Sequence, residues 1–174
     1  MAENKPNRND EVGTVSGNGV YLSHQMNVFL EELDDLIPPE TGFRVYRTTS
    51  QGISAATLTQ VNFNAASFNI NGDFSLTNDE YIVPVDGYYT FHHQQMTTGL
   101  VANDVVRSII YKNNALFVQA YDYAAGTSFQ SNTVTVYDLF EAGDSIEAWT
   151  YGLTAYNYYN GAGNSYFMGK FEHY

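Results

Sequence analysis

From Phe43 onward, apolar positions either alternate with polar ones or run on for four to eight residues, and each run stops at Gly, Asn, Asp or Pro. Period-two alternation sends successive side chains to opposite faces of a strand, so the pattern predicts short strands joined by turns, as in a sandwich or jelly roll. Along Val134–Phe140 it places Val134, Val136 and Asp138 on one face and Thr135, Tyr137 and Leu139 on the other. Both faces are mixed, which fits a strand covered on one side by its own core and on the other by a neighbouring subunit. After Tyr89 and Phe91, His93 and Gln95 share the face of those aromatics, and His92 and Gln94 take the opposite face.

Upstream the period changes. Leu22, Met26, Phe29, Leu33 and Leu36 recur at spacings of four, three, four and three, the seam of a coiled coil, and Leu30 and Ile37 widen the stripe. Pro38 and Pro39 end the pattern, because proline has no amide donor and restricts the residue before it. Two readings stay open: a short three-stranded stalk, or a surface helix packed on its own head. Glu31, Glu32, Asp34 and Asp35 form a solvated acidic face there, or a collar for a cation or basic partner. Residues 1–19 are polar and glycine-punctuated, the composition of a chain that orders only on docking. The expected organisation is a flexible polar tail over 1–19, a helix or short stalk over 20–41 and a strand-rich head over 42–174.

Composition supports this. Tyr (15), Phe (11) and Gly (14) are abundant and only 15% of residues are charged, which suits half-buried pleated surfaces and tight turns. There is no cysteine, so disulfide and thiol chemistry are excluded. A net charge of −12 with seven scattered basic residues argues against nucleic acid, whose phosphates need clustered Lys and Arg. Residues 1–42 hold eight acids and two bases, so the appendage is more acidic per residue than the head. No apolar run is long enough to insert into a membrane. The first ten residues lack the apolar centre of a secretory signal.

The most informative stretch is Tyr81-Ile-Val-Pro-Val-Asp-Gly-Tyr-Tyr-Thr-Phe91, a strand, a proline-marked turn and a second strand. Its Tyr81, Val83, Pro84, Gly87, Tyr89 and Phe91 resemble the globular head domain of complement C1q, within the tumour necrosis factor superfamily. Phe43-Arg-Val-Tyr46 resembles that family's first strand. Ile109-Ile-Tyr-Lys-Asn-Asn114 is similar to its strand and Lys-Asn-Gly turn, with Asn114 in place of glycine. Val134 to Asp144 is similar to its late strand and Gly-Asp turn, here Gly143-Asp144, and Ser165 to Phe171, with Gly169, to its closing strand. The resemblance implies an all-β C1q/TNF-like jelly-roll sandwich and a homotrimer, of mass near three times 19.5 kDa. It also raises calcium, which some heads of the family bind near the trimer apex; Asp104 and Asp122 are the loop-placed acids here, without EF-hand spacing. The face carrying His92 or the one carrying His93 could then approach a trimer axis, as a histidine cluster or as ordinary interface hydrogen bonds.

Catalytic signatures are lacking. There is no Gly-x-Ser-x-Gly elbow, no phosphate loop and no His-Glu-x-x-His, so no enzyme is expected and no cofactor beyond the calcium just raised. Trp149 reads as core, with a ligand platform as the alternative. The segment Tyr151–Tyr166 mixes Tyr, Asn, Gly and Ser as binding loops do. In the jelly roll it resembles, the last strand runs antiparallel to the first, so the loop before it sits at the end opposite Phe43. Tyr156, Tyr158 and Tyr159 are expected there as contacts to a cell-surface glycan or protein, or else as a tyrosine-lined trimer interface. The expected function is structural display and binding in a virion, as a phage fibre, decoration or host-attachment head anchored to a larger assembly through residues 1–41. The tail resembles the attachment segments of phage fibres. An extracellular type of fold without a leader means that a leader was removed or that the protein leaves its cell by another route, such as lysis. The alternative is a secreted or cell-surface lectin-like head, although the Gly-X-Y triplets of collagenous members are absent. A glycan hydrolase, the third class, lacks a catalytic carboxylate pair.

Overall fold

Strand β7 (Gly87–Thr98) shows how the pattern becomes structure. In the computed structural model, which describes residues 40–174 apart from Thr127, Gly87, Tyr89, Phe91, His93, Gln95 and Thr97 are buried and the residues between them half-buried. β7 is paired along one edge with β10 (Gln130–Phe140). Along the other it is paired with β13 (Tyr166–His173) and, at its end, β12 (Tyr156–Tyr158). The sheet continues from β13 to β1 (Gly42–Tyr46) and β4 (Ala65–Asn69), and from β12 to β2 (Gln51–Ile53). The second sheet runs β9 (Ala115–Tyr123), β8 (Val105–Lys112), β11 (Ser145–Gly152), β6 (Glu80–Ile82) and β5 (Phe74–Ser75), with β3 (Thr59–Gln60) also on β11. All these pairings are antiparallel, and the two sheets share one core: an all-β jelly-roll sandwich. The stalk seam Leu22, Met26, Phe29, Leu33 and Leu36 and the tail 1–19 lie outside the described residues.

One half of the core is aromatic. Phe43 from β1 reaches across the sandwich to Phe74 and Tyr81, each at 4.8 Å between ring centroids, and meets Phe167 of its own sheet at 5.0 Å. Phe91 packs on Phe140 at 5.0 Å and on Tyr81 at 5.6 Å, mostly edge-on, as ring quadrupoles favour. Two glycines make room for these rings. A Cβ on Gly169 would lie 2.5 Å from Phe91 and 2.7 Å from Phe43, and one on Gly87 would lie 2.5 Å from Phe171. The spacing of these motif residues thus reflects ring packing.

Gly42, Gly87, Phe140 and His173 lie at one end of the sandwich, here the proximal end, where β1 begins; Thr98 and Gln130 lie at the distal end. The proximal turns lock together. Asn113 and Asn114 both have positive φ, 54° and 62°, as a two-residue hairpin turn between β8 and β9 requires, and asparagine tolerates this well enough to stand where glycine was expected. Asn113 Nδ2 and the Glu141 amide donate to Asp144 at 2.7 and 2.9 Å, and Lys112 Nζ pairs with it at 2.7 Å. Burial opposes ionisation of Asp144, but Lys112, the Glu141 amide and Asn113 together outweigh it and hold the carboxyl below its ordinary range. Pro84 sits exposed in the β6–β7 turn, where no amide is needed, while Val83 beside it bonds the Asp144 carbonyl at 2.9 Å.

Gly169→Ala is expected to destabilise the head by ~1–3 kcal/mol, the usual cost of overpacking a filled core. Gly163→Ala, which meets nothing within 4 Å, is the control and should shift the denaturant midpoint little. Equal midpoints for the two variants would show that the ring cluster yields freely around Gly169.

Candidate recognition surfaces

The loop preceding β13 does lie at the distal end, but two of its three tyrosines do not project from it. Residues 156–158 form β12, paired with β7 and β2, and the pleat turns Tyr156 and Tyr158 inward, 4% and 0% exposed. Tyr156 hydroxyl meets Thr150 Oγ1, and Tyr158 hydroxyl lies 3.3 Å from both His93 Nε2 and the Gln94 carbonyl. These two are core of the single chain, which corrects the expectation that they form an exposed contact or a tyrosine-lined trimer interface. Only Tyr159 remains half-exposed, its ring 4.8 Å from the exposed Phe129.

The outer face of the β10-β7-β13-β1-β4 sheet is richer than the sequence suggested. Tyr88 stacks on Tyr137 at 5.4 Å and on His173 at 4.9 Å, and Tyr137 hydroxyl meets His173 Nε2 at 2.8 Å. Further along, His92 stacks on Tyr166 at 5.3 Å, and the Arg44 guanidinium lies 4.2 Å over the same ring. His92 Nδ1 and Thr135 Oγ1 are 2.8 Å apart. Partial burial pushes the His92 imidazole below its ordinary value against an opposing hydrogen bond with Gln94, and the Arg44 charge adds to the depression. Leu139, Tyr137 and Phe68 leave 52%, 54% and 43% of their surfaces exposed on this sheet, far more than a solvated face needs.

The outer face of the other sheet carries Arg107, Tyr121, Tyr151, Tyr111 and Trp149. Trp149 is half-buried, packs on Tyr111 at 5.0 Å and donates its indole N–H to Glu147 at 2.7 Å. It lies outside the sandwich core where the sequence reading put it, because β11 turns Ile146, Ala148 and Thr150 inward. Neither face was readable from sequence as a cluster, since each is assembled across strands distant along the chain; period-two alternation supplies the facing but not the neighbours.

The profile of the C1q domain matches residues 42–169. The chain belongs to the C1q domain family. Solved structures share the fold at low identity. The globular domain of zebrafish complement 1qA protein matches with a TM-score of 0.56 at 15% identity, over 74% of this chain and 94% of that one. Eiger TNF from S. frugiperda gives 0.60 at 13% identity, over 78% and 94%, and murine APRIL at pH 5.0 gives 0.61 at 9%, over 77% and 100%. No curated relative matches the chain.

The two acids raised as calcium candidates are each engaged by neighbouring loop residues. Asp104 is 5% exposed; its Oδ2 accepts from the Thr154 amide at 3.0 Å and from the Thr154 hydroxyl, while its buried Oδ1 has no partner among the described residues. Asp122 accepts from Gln130 Nε2 at 2.6 Å and from the Tyr123 amide at 2.8 Å. Both serve as loop clamps, and among the described residues no three acids or histidines gather as ligands. Nor, among them, is any helix long and apolar enough to cross a membrane.

The C1q-family core is polar towards its distal half, and His93 is its centre. Ile109 carbonyl, 3.3 Å from Nδ1, fixes the ring proton there and leaves Nε2 to accept from Tyr158. Burial pushes this imidazole down to about 3 against the Ile109 hydrogen bond, with His92 adding a little. The folded value lies below the ordinary 6.5, so the unfolded chain binds the extra proton and stability falls as pH drops from 6.5 towards 3. The slope contributed by His93 approaches ~1.4 kcal/mol per pH unit in that window. His93→Phe should flatten the wild-type slope. Asp144 acts separately, its stabilisation being lost only below 3.8. Identical slopes for variant and wild type would remove His93 as the acid-sensitive element.

Proposed function

We propose that this C1q-family chain is a non-enzymatic homotrimeric display and recognition head carried on a virion, as a phage fibre, decoration or host-attachment protein. Residues 1–41 are its attachment segment, with the Leu22–Leu36 seam as a short stalk. The observation that carries the trimer is the outer face of the β10-β7-β13-β1-β4 sheet. It holds Tyr88, Tyr137, Tyr166, Met168 and Leu139 beyond what one sandwich core uses, and three copies around an axis would bury it. Burial of such apolar surface is worth ~25 cal/mol per Å² before the costs of association. The virion reading rests on the acidic, polar composition of residues 1–41 and the absence of cysteine in the sequence. A secreted or cell-surface recognition domain remains the second reading, favoured by the extracellular setting typical of C1q domains.

The expected solution mass is near three times 19.5 kDa. Leu139→Asp, which places a charge in the proposed interface without touching the core, should give folded monomers. A wild-type chain that stays monomeric at micromolar concentration overturns the trimer. Mass spectrometry of purified particles should find the chain in the virion; finding it only in cell-free fluid of uninfected cells favours the secreted reading.

A further inference from the structure

The ladder register sets Tyr121, Arg107 and Tyr151 side by side on β9, β8 and β11. The guanidinium carbon lies 4.6 Å from the Tyr121 ring centre and 4.7 Å from that of Tyr151. Stacking engages the faces of this planar cation and leaves its N–H donors, which lie in its plane, for other partners. They have none among the described residues. Lys112 and Lys170 are ion-paired, and Arg44 and Arg47 donate to backbone carbonyls. The Arg107 side chain alone among the five described basic residues has neither, and its buried Nε meets no acceptor. Further along the same face Trp149 and Tyr111 add aromatic surface, and Ile109 among them is 2% exposed, so the patch is packed.

We propose that this face binds an acidic sugar of the uronate class. The sugar carboxylate takes the Arg107 fork in a two-pronged hydrogen bond, and the apolar C–H face of the ring lies on the exposed Tyr121 beside it. Charge selects this ligand over other anions. A chain of net −12 repels acidic peptides and polyanions, which need several cations, whereas one guanidinium matches one carboxylate on an otherwise neutral, hydroxyl-rich body. The inference deepens the reading of the chain as a recognition head and rests on it.

The test titrates the full chain with the methyl glycoside of galacturonic acid, which carries one carboxylate, and with its methyl ester, the same body without charge. The acid should bind at least tenfold more tightly than the ester. Arg107→Gln should erase that difference with mass and melting temperature unchanged, and Arg107→Lys should restore only part of it. Tyr121→Ala, at a position 55% exposed and so safe for folding, should weaken binding of the acid several-fold. Equal binding of acid and ester, no binding of the acid, or undiminished binding by Arg107→Gln overturns the proposal, as does tighter binding of a glutamate-rich peptide. A trimer that ignores the uronate overturns this site and leaves the trimeric head standing. A monomer that binds it through Arg107 keeps the site and removes the trimer.

Discussion

β7 is hydrogen-bonded along both edges, so its side chains have only two places to go, and the alternation of its sequence decides which goes where. Its inward row passes from Tyr89 and Phe91 through His93 to Gln95 and Thr97, and the sandwich changes character along that row. The proximal half closes on rings, for which Gly169 and Gly87 leave room. The distal half closes on polar partners: Thr150 Oγ1 donates to Gln95 Oε1 at 2.6 Å, Ser108 Oγ to the Asn132 carbonyl at 3.3 Å, and His93 bridges Ile109 and Tyr158. Gln95 Nε2 is the buried donor of this network without a partner among the described residues, and the linked polar groups make the distal half the specific part of the core and the part most sensitive to acid.

The same pleat that fills the core creates two unlike outer faces. On the β7 face, aromatic and aliphatic side chains remain exposed beyond the need of one subunit, in keeping with a surface shared between copies. On the β8 face, aromatic groups pack around one cation and leave its donors free. A head that covers the first face by self-association and keeps the second open would separate assembly from recognition without a dedicated binding loop. The distal Tyr/Asn/Gly/Ser segment serves the interior instead, because its strand β12 caps the polar core.

Much of the fold was legible because the decisive residues are local. The Pro84-to-Phe91 turn and strand, the Gly143-Asp144 turn and the alternation of β7 are properties of short stretches. Composition and strand alternation were read correctly at His92 and His93 for the same reason. Tyr156 and Tyr158 were misplaced because a loop-like composition concealed a strand whose partners, at Thr97 and Ile53, are remote in sequence. Trp149 was read first as core, and Arg107 was not singled out, because facing depends on register and the neighbours Tyr121, Arg107 and Tyr151 come from three separate strands. Register is a tertiary property, and no window of sequence contains it.

The central claim is that one sheet face is covered by sister subunits while the other stays open. Residue-resolved tyrosine modification of the native assembly in solution reads this directly, because Tyr137 and Tyr121 are almost equally exposed in the single chain, at 54% and 55%. The account predicts that Tyr121 reacts freely while Tyr137 is protected, and that dilution to monomer equalises them. Equal reactivity in the native assembly, or protection of Tyr121 instead, would contradict it.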